Sequence, residues 1–534
     1  MRPRFAPILF VLLAWAGPSH AAGAGAVAAG VVYVEFDGRP GQGEHENGVP
    51  GVLVSNGREL VRTDAQGRYR LPVRPGQTVF VVKPDGFRFV ARADGLPDFW
   101  RHHFPDGSPR LRFGGIPRSG ADRDFALHPP VPGPAADIDV LVFADTQVKH
   151  ARDVDHYRRD IVEPLSGRHA AAFGTTLGDL VDDDLSLYPA LNAATAKLGT
   201  PWFHVPGNHD LDFDAARDED SLLTWRNAYG PDTYAVEEGG ASFVFLDDVV
   251  YLPGQRPAYV GGLREDQFAF LEAYLATLPR DRLVVLGLHI PLFQDGARET
   301  FRRADRERLF ALLQRFERVL VLSGHSHTQR HHYHGLADGW HGAAPLHEYN
   351  VGAACGAFWS GAPDAAGIPD ATMADGTPNG YAVLHVRRAG GYALAWHPAR
   401  VPAADPAFTG AMALHAPRVL RRGAYPAWGV YANVFMGDAD TRVEYRIDGG
   451  PWRPMQRVER PDPRLVVENV ADDLAPALRG HDRSPEAVPS THLWRGALAT
   501  DLPAGEHRVE VRASGRWVGE ASAATVYWLA EAAD

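Results

Sequence analysis

The chain has 534 residues, of which 45% are hydrophobic, and this length supplies material for about three globular domains. Its formal net charge of −12 argues against a nucleic-acid or anionic-membrane surface, because such surfaces present basic side chains to phosphates. The single cysteine, Cys355, excludes a disulfide within the chain, and its apolar neighbours predict a buried thiol without a catalytic role.

The first residues have the layout of a secretory signal peptide. Arg2 and Arg4 precede an apolar run over residues 5–16, and the small residues around Ala21 offer a cleavage site. This run is too short to span a bilayer, and no later segment reaches that length. Residues 1–22 are therefore predicted to direct secretion, to the periplasm if the source is Gram-negative.

A β-rich module is predicted over residues 31–127. Short apolar or alternating segments are separated by turns rich in Gly, Asn and Asp, a pattern typical of hairpins. These strand and turn segments resemble the small prealbumin-like β-sandwiches found beside many secreted enzymes. A Pro-rich segment over residues 128–136 reads as a semi-rigid linker to the next domain.

Residues 137–400 are predicted to form an α/β domain. Short apolar runs bounded by Gly predict buried strands at residues 138–143, 170–177, 201–205, 283–288 and 318–322. A helix is predicted over residues 264–278, because Phe268, Leu271 and Leu275 fall on one helical face. A second helix, near residues 299–316, would turn its charged face to solvent.

A polar cluster directly follows each of these five runs. Ligands of α/β sheets collect beyond the carboxyl ends of the strands, so the five clusters are expected to converge on one crevice. Their oxygen and imidazole donors suit Mn, Fe or Zn. Two such ions about 3.5–4 Å apart could clamp a phosphoryl group and supply hydroxide near neutral pH, with Asp179 as the bridge.

The ordered clusters resemble the motifs of the calcineurin-like metallophosphoesterases, which run D-x-H, GD-x-x-D, GNH-D, a lone His and GH-x-H. This chain has D-T-Q, GDLVD, GNHD, LHIP and GHSH in the same order. The resemblance implies two divalent metal ions, Mn, Fe or Zn. When the family's ligand positions are transferred to this sequence, the first ion would bind Asp145, Gln147, Asp179 and His327. The second ion would bind Asp179, Asn208, His289 and His325.

The resemblance also implies catalytic roles for two neighbouring residues. His209 matches the histidine that protonates the leaving oxygen, and Asp210 could orient its ring. Gln147 departs from the family, which usually has His there. Its amide oxygen could bind the first metal directly, reach it through water, or leave that site looser.

Residues 349–359 and 375–381 are rich in small and aromatic residues and follow the last metal motif. They resemble a subgroup in which the calcineurin-like domain lies between N-terminal and C-terminal β-domains. The aromatic pair Phe358 and Trp359 could wall a substrate pocket, and Trp359, Asn379 and Tyr381 are candidate substrate contacts, with core packing as the alternative. The histidines of residues 331–334 suggest a third metal site, but a strand with histidines near the pocket mouth or in solvent is the favoured interpretation.

Residues 402–534 are predicted to form a second β-rich domain with fibronectin-like patterning. Residues 431–435 and 442–447 alternate and are joined by a turn. Trp452, Trp494 and Trp517 could form a sugar-binding platform, although aromatic residues of sandwiches usually belong to the core.

The sequence thus predicts a calcineurin-like α/β core between two small β-sandwiches. The predicted function is that of a secreted, metal-dependent phosphomonoesterase or phosphodiesterase that acts on a small phosphorylated substrate or an envelope phosphoester, without nucleic-acid partners or a membrane span. Two alternatives stay open, an envelope-polymer-binding protein with a weakened centre and a phosphoprotein phosphatase.

Overall fold

The structure is a computed structural model that describes residues 26–531, apart from residues 37, 40, 121–122, 131–135, 295, 297–298 and 426–427. The predicted signal peptide and most of the predicted linker lie outside the described residues. None of the described helices combines the length and the apolar composition needed to cross a bilayer.

The N-terminal part is built from two small sheets. Its strands are β1 Ala26–Val34, β2 Leu53–Ser55, β3 Leu60–Arg62, β4 Arg68–Val73, β5 Gln77–Val81, β6 Arg88–Phe89, β7 Trp100–His103 and β8 Phe125–His128. The sheet orders are β4-β1-β8-β6 and β3-β2-β5-β7. Buried and exposed side chains alternate along β4, as expected for a strand with one face on the core. Tyr69, Leu71 and Val73 are buried, and the residues between them are exposed.

The central domain contains two larger sheets and most of the helices. Its strands are β9 Ile138–Phe143, β10 Phe173–Leu177, β11 Trp202–Val205, β12 Tyr234–Glu238, β13 Ala241–Phe245, β14 Val249–Tyr251, β15 Tyr259–Gly261, β16 Leu283–Gly287, β17 Arg318–Ser323, β18 Arg330–His334, β19 Leu346–Asn350, β20 Gly380–Val386 and β21 Tyr392–Pro398. The helices are α1 Ala151–Tyr157, α2 Glu163–Leu165, α3 Tyr188–Thr195, α4 Leu223–Tyr229, α5 Glu265–Leu275 and α6 Arg303–Leu313.

The five predicted apolar strands divide between these two sheets. One sheet has the order β11-β10-β9-β20-β21 and the other β12-β13-β16-β17-β19-β18. The strands β9, β10 and β11 are parallel, as are β13, β16, β17 and β19. The sheets pack face to face, since the rings of Phe173 and Phe243 meet edge-on with centroids 4.9 Å apart.

Helix α5 shows how local pattern and packing act together. Phe268, Leu271 and Leu275 are buried, as the predicted apolar face requires. The backbone N–H of Arg264 donates to Gln267 Oε1 at 2.7 Å, which caps the helix at its start. The helix ends at Leu275, three residues before the predicted end at Leu278. Helix α6 lies beside it, and Arg308 of α6 donates to both Glu265 and Glu272 of α5.

The described residues of the C-terminal part form a β-sandwich with one helix, α7 Pro463–Asp473. Its strands are β22 Met412–His415, β23 Val419–Arg421, β24 Gly429–Val434, β25 Arg442–Ile447, β26 Arg453–Pro454, β27 Gln456–Arg457, β28 Arg460–Pro461, β29 Pro489–Ser490, β30 Leu493–Ala497, β31 Gly505–Gly515 and β32 Gly519–Ala530. The main sheets are β22-β24-β30-β27 and β23-β32-β31-β25-β26. The adjacent strands β24 and β25 belong to opposite sheets, so their connection crosses the sandwich and does not form a hairpin.

The three tryptophans considered as a sugar-binding platform do not share a surface. Trp494 and Trp517 are buried, and the guanidinium groups of Arg446 and Arg512 cover the ring of Trp452. The ring of Trp517 stacks on His331 and His347 of the central domain, with centroids 5.2 Å and 4.8 Å apart. Trp517 therefore joins the C-terminal sandwich to the central domain.

Candidate dinuclear metal centre

The polar segments that follow β9, β10, β11, β16 and β17 meet between the two central sheets. His289, after β16, is at the middle of one group. Its Nε2 lies 3.0 Å from Asn208 Oδ1, 3.3 Å from Asp179 Oδ2 and 3.2 Å from His325 Nδ1. These four side chains are the set expected for the second metal, and they come from loops of both sheets.

A second group surrounds Asp145. Its carboxylate accepts the backbone N–H of His325 at 3.1 Å and 3.0 Å, and its Oδ1 lies 3.6 Å from His327 Nε2. The backbone N–H of Gln147 donates to the carbonyl of Asp179 at 2.8 Å. Asp179 thus contacts both groups, through its side chain on one side and its backbone on the other.

Gln147 provides a direct test of whether these residues fit a cation. Its side chain is buried, and among the described residues its Oε1 has no hydrogen-bond partner. A buried amide oxygen without a partner costs roughly 1–3 kcal/mol. An amide oxygen, together with the carboxylate and imidazole groups of the other candidate ligands, suits a divalent ion of the Mn, Fe or Zn type. The donor set fits the expected metals.

The backbone of the candidate ligands is strained. Positive φ angles, which side chains other than Gly rarely adopt, occur at Asp145 (47°), Gln147 (36°), Asp179 (47°), His325 (70°) and His327 (49°). Such strain persists only where the surrounding structure compensates for it, and it concentrates at functional sites. The strain thus falls on five of the seven candidate metal ligands.

Glycines in the motifs allow these loops to approach one another. A Cβ on Gly178 would lie 2.4 Å from His289 Nδ1, and one on Gly207 would lie 2.2 Å from the backbone nitrogen of Asp179. Side chains larger than hydrogen would therefore separate the loops that carry the candidate ligands.

Hydrogen bonds to carbonyl groups orient two of the imidazole rings. His289 Nδ1 donates to the carbonyl of Leu177 at 2.8 Å, and His327 Nδ1 donates to that of Gly356 at 2.6 Å. Each bond directs the Nε2 of its ring towards the carboxylates, as in metal-binding histidines generally. The buried carboxylate of Asp248, which the sequence did not single out, accepts the backbone N–H of His289 at 3.0 Å.

Burial and charge together set the ionisation of the cluster. Burial, reinforced by the charge of Asp179, raises the pKa of Asp145 to about 7. Burial opposes ionisation of Asp179 as well, but the neighbouring His289 outweighs it and lowers the pKa of Asp179 below its usual range. Burial lowers the pKa of His325 to about 3 and that of His327 to about 4, which keeps both rings neutral. Burial acts in the same direction on His289, but the charges of Asp179, Asp145 and Asp248 prevail and raise its pKa to about 10, so this ring carries a proton that a bound metal ion would displace.

His209 lies at the edge of this cluster, and its side chain is 30% exposed. Its Nδ1 is 2.7 Å from Asp183 Oδ1 and 3.3 Å from Asp182 Oδ1. Burial lowers its pKa, but the hydrogen bond to Asp183 and the charges of Asp179, Asp183 and Asp182 prevail and raise the value to about 9.

The expected contact between Asp210 and the His209 ring is not formed in the described structure. The buried Asp210 carboxylate instead accepts the backbone N–H groups of Gly207 and Leu180 and the hydroxyl of Tyr188. It is directed inward, away from the neighbouring ring, and stabilises the turn. Asp182 and Asp183 take the position expected for Asp210, and the acidic run after GDLV was the available signal for them.

Two of the three candidate substrate contacts, Trp359 and Asn379, are buried, and Tyr381 is half-buried. Trp359 is buried and donates from Nε1 to the carbonyl of Thr146 at 3.0 Å, so it stabilises the loop that carries Asp145 and Gln147. Asn379 is buried and donates to Asp160 Oδ2 at 2.9 Å. Tyr381 packs on Phe143 with ring centroids 5.6 Å apart. These contacts favour the packing alternative for all three residues.

Phe358 instead provides the exposed aromatic surface beside the cluster. Its ring is 54% exposed and stacks on His327, with centroids 4.6 Å apart and an interplanar angle of 27°. Its φ of 56° is unusual for an aromatic residue and directs the ring outward.

Strained loops that converge carboxylate, amide and imidazole groups between two sheets are typical of metal-dependent hydrolases. Family profiles match three consecutive parts of the chain, namely the N terminal of calcineurin-like phosphoesterase at residues 37–114, calcineurin-like phosphoesterase at residues 138–329, and the C terminal of calcineurin-like phosphoesterase at residues 348–520. The chain therefore belongs to the calcineurin-like phosphoesterases, and it is a metal-dependent phosphoesterase.

Among solved structures, the chain is similar to a purple acid phosphatase isolated from yellow lupin (Lupinus luteus) seeds. The two share 13% sequence identity with a TM-score of 0.38, over 66% of this chain and 67% of that chain. No curated protein sequence matches the chain.

Proposed function

We propose that this enzyme hydrolyses small phosphate monoesters or diesters at a two-metal centre. The first ion would be held by Asp145, Gln147, Asp179 and His327, and the second by Asp179, Asn208, His289 and His325. The position of Asp179 carries this proposal, because its buried carboxylate lies 3.3 Å from His289 while its backbone carbonyl accepts the N–H of Gln147. A residue that contacts both donor groups is suited to bridge two ions.

Divalent ions in this centre would act as Lewis acids towards phosphoryl oxygens and water. The protein residues fix the geometry in which this occurs. Carbonyl groups hold the rings of His289 and His327, and Asp248 holds the loop that carries His289. The mixed oxygen and imidazole donors favour Mn, Fe or Zn, and each site would include one neutral amide oxygen, from Gln147 in the first and from Asn208 in the second.

His209 is the proposed general acid. Asp183 engages Nδ1, which leaves Nε2 of the partly exposed ring available to an incoming substrate. A proton on Nε2 can be delivered to the departing alkoxide oxygen, as general-acid catalysis requires. Because Asp210 binds backbone groups instead of this ring, its proposed role is to hold the turn that presents Asn208 and His209.

Phe358 suggests the kind of substrate. An exposed ring stacked on a proposed metal ligand offers an apolar surface to the group esterified to phosphate. This arrangement favours small esters with a planar or apolar organic group over a phosphorylated protein or a polymer. The signal-peptide layout of residues 1–22 supports secretion, which N-terminal sequencing of the mature protein from its native host tests.

The decisive experiment compares hydrolysis of a chromogenic phosphate monoester and the matching diester by Mn-loaded protein, with Asp179→Asn as the blank. We expect turnover that disappears in the variant, and the ratio of the two rates assigns the ester class. Absence of turnover with Mn, Fe and Zn, despite bound metal, would overturn the proposal and favour the polymer-binding alternative. Activity on phosphoprotein alone would favour the phosphatase alternative.

A further inference from the structure

A second cluster of potential metal ligands lies at the edge of the larger central sheet. His332 and His334 belong to the edge strand β18, and Asp338 lies in the short turn that follows it. One ligand atom from each of these side chains lies within 4.8 Å of the others. Residues two apart on a strand project from the same face, which explains why the two rings meet. Their centroids are 4.5 Å apart.

Two nitrogens in this cluster are buried without a partner. Within the described part of the chain, His332 Nε2 and His334 Nδ1 make no hydrogen bond. The ring of His334 is completely buried, so bulk solvent does not reach its nitrogen. Each unsatisfied nitrogen costs roughly 1–3 kcal/mol, and a cation between the rings would remove both penalties.

Glu348 determines which nitrogen of His334 is available to bind a cation. His334 Nε2 and Glu348 Oε2 are 2.6 Å apart, so the ring donates from Nε2 and its Nδ1 presents a lone pair. The other carboxylate oxygen of Glu348 accepts the hydroxyl of Ser323 at 2.7 Å and the N–H of Leu292 at 3.0 Å. Metal-binding histidines are commonly oriented in this way, by donating one ring N–H to a carboxylate that other hydrogen bonds hold in place.

The remaining features of the cluster also suit a cation. One oxygen of Asp338 accepts the N–H of Gly335 at 3.0 Å, which leaves the second oxygen for an ion. The rings of Phe293 and Phe310 cover His332 and His334, each with centroids 5.1 Å apart. These walls lower the local dielectric, which strengthens the attraction between a carboxylate and a cation.

We propose that His332, His334 and Asp338 hold a divalent cation of the zinc type, separate from the catalytic centre. Two imidazoles and one carboxylate are a common zinc set, with the fourth position left for water. None of these residues is a proposed catalytic ligand. Glu348 nevertheless links the new site to Ser323 and Leu292, which flank the loops carrying His325 and His289.

Zinc binding to the full-length, metal-stripped protein tests this proposal. Equivalents of Zn²⁺ bound per chain are measured for wild type, His332→Gln, Asp338→Asn and the control His341→Gln, whose exposed histidine lies outside the cluster. We expect both cluster variants to bind one equivalent fewer than wild type and the control to bind the same number. Both substituted residues are only partly buried, so the variants should fold, which circular dichroism verifies.

The same measurement in an Asp179→Asn background separates this site from the catalytic one. We expect His332→Gln to remove one further equivalent there, because the two sites share no ligand. Equal zinc stoichiometry in His332→Gln and His341→Gln, in either background, would overturn the proposal. An unchanged stoichiometry in Asp179→Asn alone would instead contradict the catalytic assignment.

Discussion

Asp183 Oδ1 lies 2.7 Å from Nδ1 of His209, the residue that directly follows the proposed metal ligand Asn208. The carboxylate therefore fixes both the orientation of the ring and the nitrogen that meets the substrate. Asp182 Oδ1 lies 3.3 Å from the same nitrogen, and Asp182 Oδ2 pairs with Lys149 Nζ at 2.7 Å. The proposed general acid is thus held by the acidic run that follows the bridging aspartate.

Replacing Asp183 by Asn should lower kcat without changing metal content. A hydrogen bond to a charged group is worth roughly 1.5–3 kcal/mol, which corresponds to about a 10- to 100-fold loss. Steady-state kinetics together with metal analysis measure both quantities. The control is Asp184→Asn, because Asp184 binds Ser186 and not His209. A full rate in Asp183→Asn would contradict the positioning role.

Replacing Gln147 by Met should reduce metal binding without lowering the stability of the metal-free protein. Methionine has nearly the same shape but lacks the unpartnered oxygen, so metal-free Gln147→Met should be as stable as wild type, or more stable by about 1 kcal/mol. After metal loading, the variant should hold one ion per catalytic centre instead of two and should lose most of its turnover.

Thermal unfolding with and without metal, and metal analysis, test the role of Gln147. The matched control is Gln147→His, which retains a metal donor at this position and should keep both ions. If Gln147→Met also retains two ions, the amide oxygen is not a metal ligand.

Replacing Phe358 by Ala should raise KM for aromatic phosphate esters. The exposed ring beside His327 contributes apolar contact, so its loss should weaken binding of an aryl ester by about 1 kcal/mol and leave alkyl esters nearly unaffected. Kinetics with matched aryl and alkyl monoesters measure the difference. The control is Trp528→Ala, which removes a half-exposed aromatic side chain from the C-terminal sandwich. Equal changes in KM for both esters would exclude a stacking contact.

Replacing His204 by Phe should reduce the sensitivity of the fold to acid. His204 is buried in β11, and among the described residues neither ring nitrogen has a hydrogen-bond partner. Burial lowers its pKa to about 3, from a usual value near 6.5. The unfolded chain therefore takes up a proton below pH 6.5 that the folded chain excludes. The stability that the neutral ring contributes is complete above pH 6.5 and is lost as pH falls towards 3.

That loss amounts to about 1.4 kcal/mol per pH unit within this window. Denaturant unfolding of wild type and His204→Phe at several values between pH 4 and pH 7 measures it. We expect the variant to be at least as stable as wild type at pH 7 and to lose less stability on acidification. The exposed His45→Phe is the control, and an unchanged acid dependence in His204→Phe would refute the account.

Much of the candidate metal centre was predictable because its signals are local. The strand Ile138–Phe143 has the predicted bounds, since a short apolar run that ends at a polar turn is a strong signal. The ordered motifs placed the candidate ligands at strand ends, and parallel strands brought those ends together. The family assignment was predictable for the same reason, and the profile matches confirm it.

Other features depend on contacts between distant segments. Whether an aspartate faces a neighbouring ring or the backbone depends on loop geometry, and this separates Asp183 from Asp210. The pattern of β24 and β25 identifies two strands but does not say that they belong to opposite sheets. The histidines of β18 were expected near the pocket mouth or in solvent, but the covering Phe310 and the carboxylate of Glu348 place His334 in the interior.

The sequence by itself thus determined the family and the fold class, and it predicted the candidate metal ligands, because apolar runs and turn chemistry are encoded in adjacent residues. Only the tertiary structure decided which carboxylate holds His209, which aromatic ring is exposed beside the metal centre, and that His332, His334 and Asp338 converge. These arrangements arise from packing between segments far apart in the chain, where side-chain direction and burial are set by neighbours that no local pattern specifies.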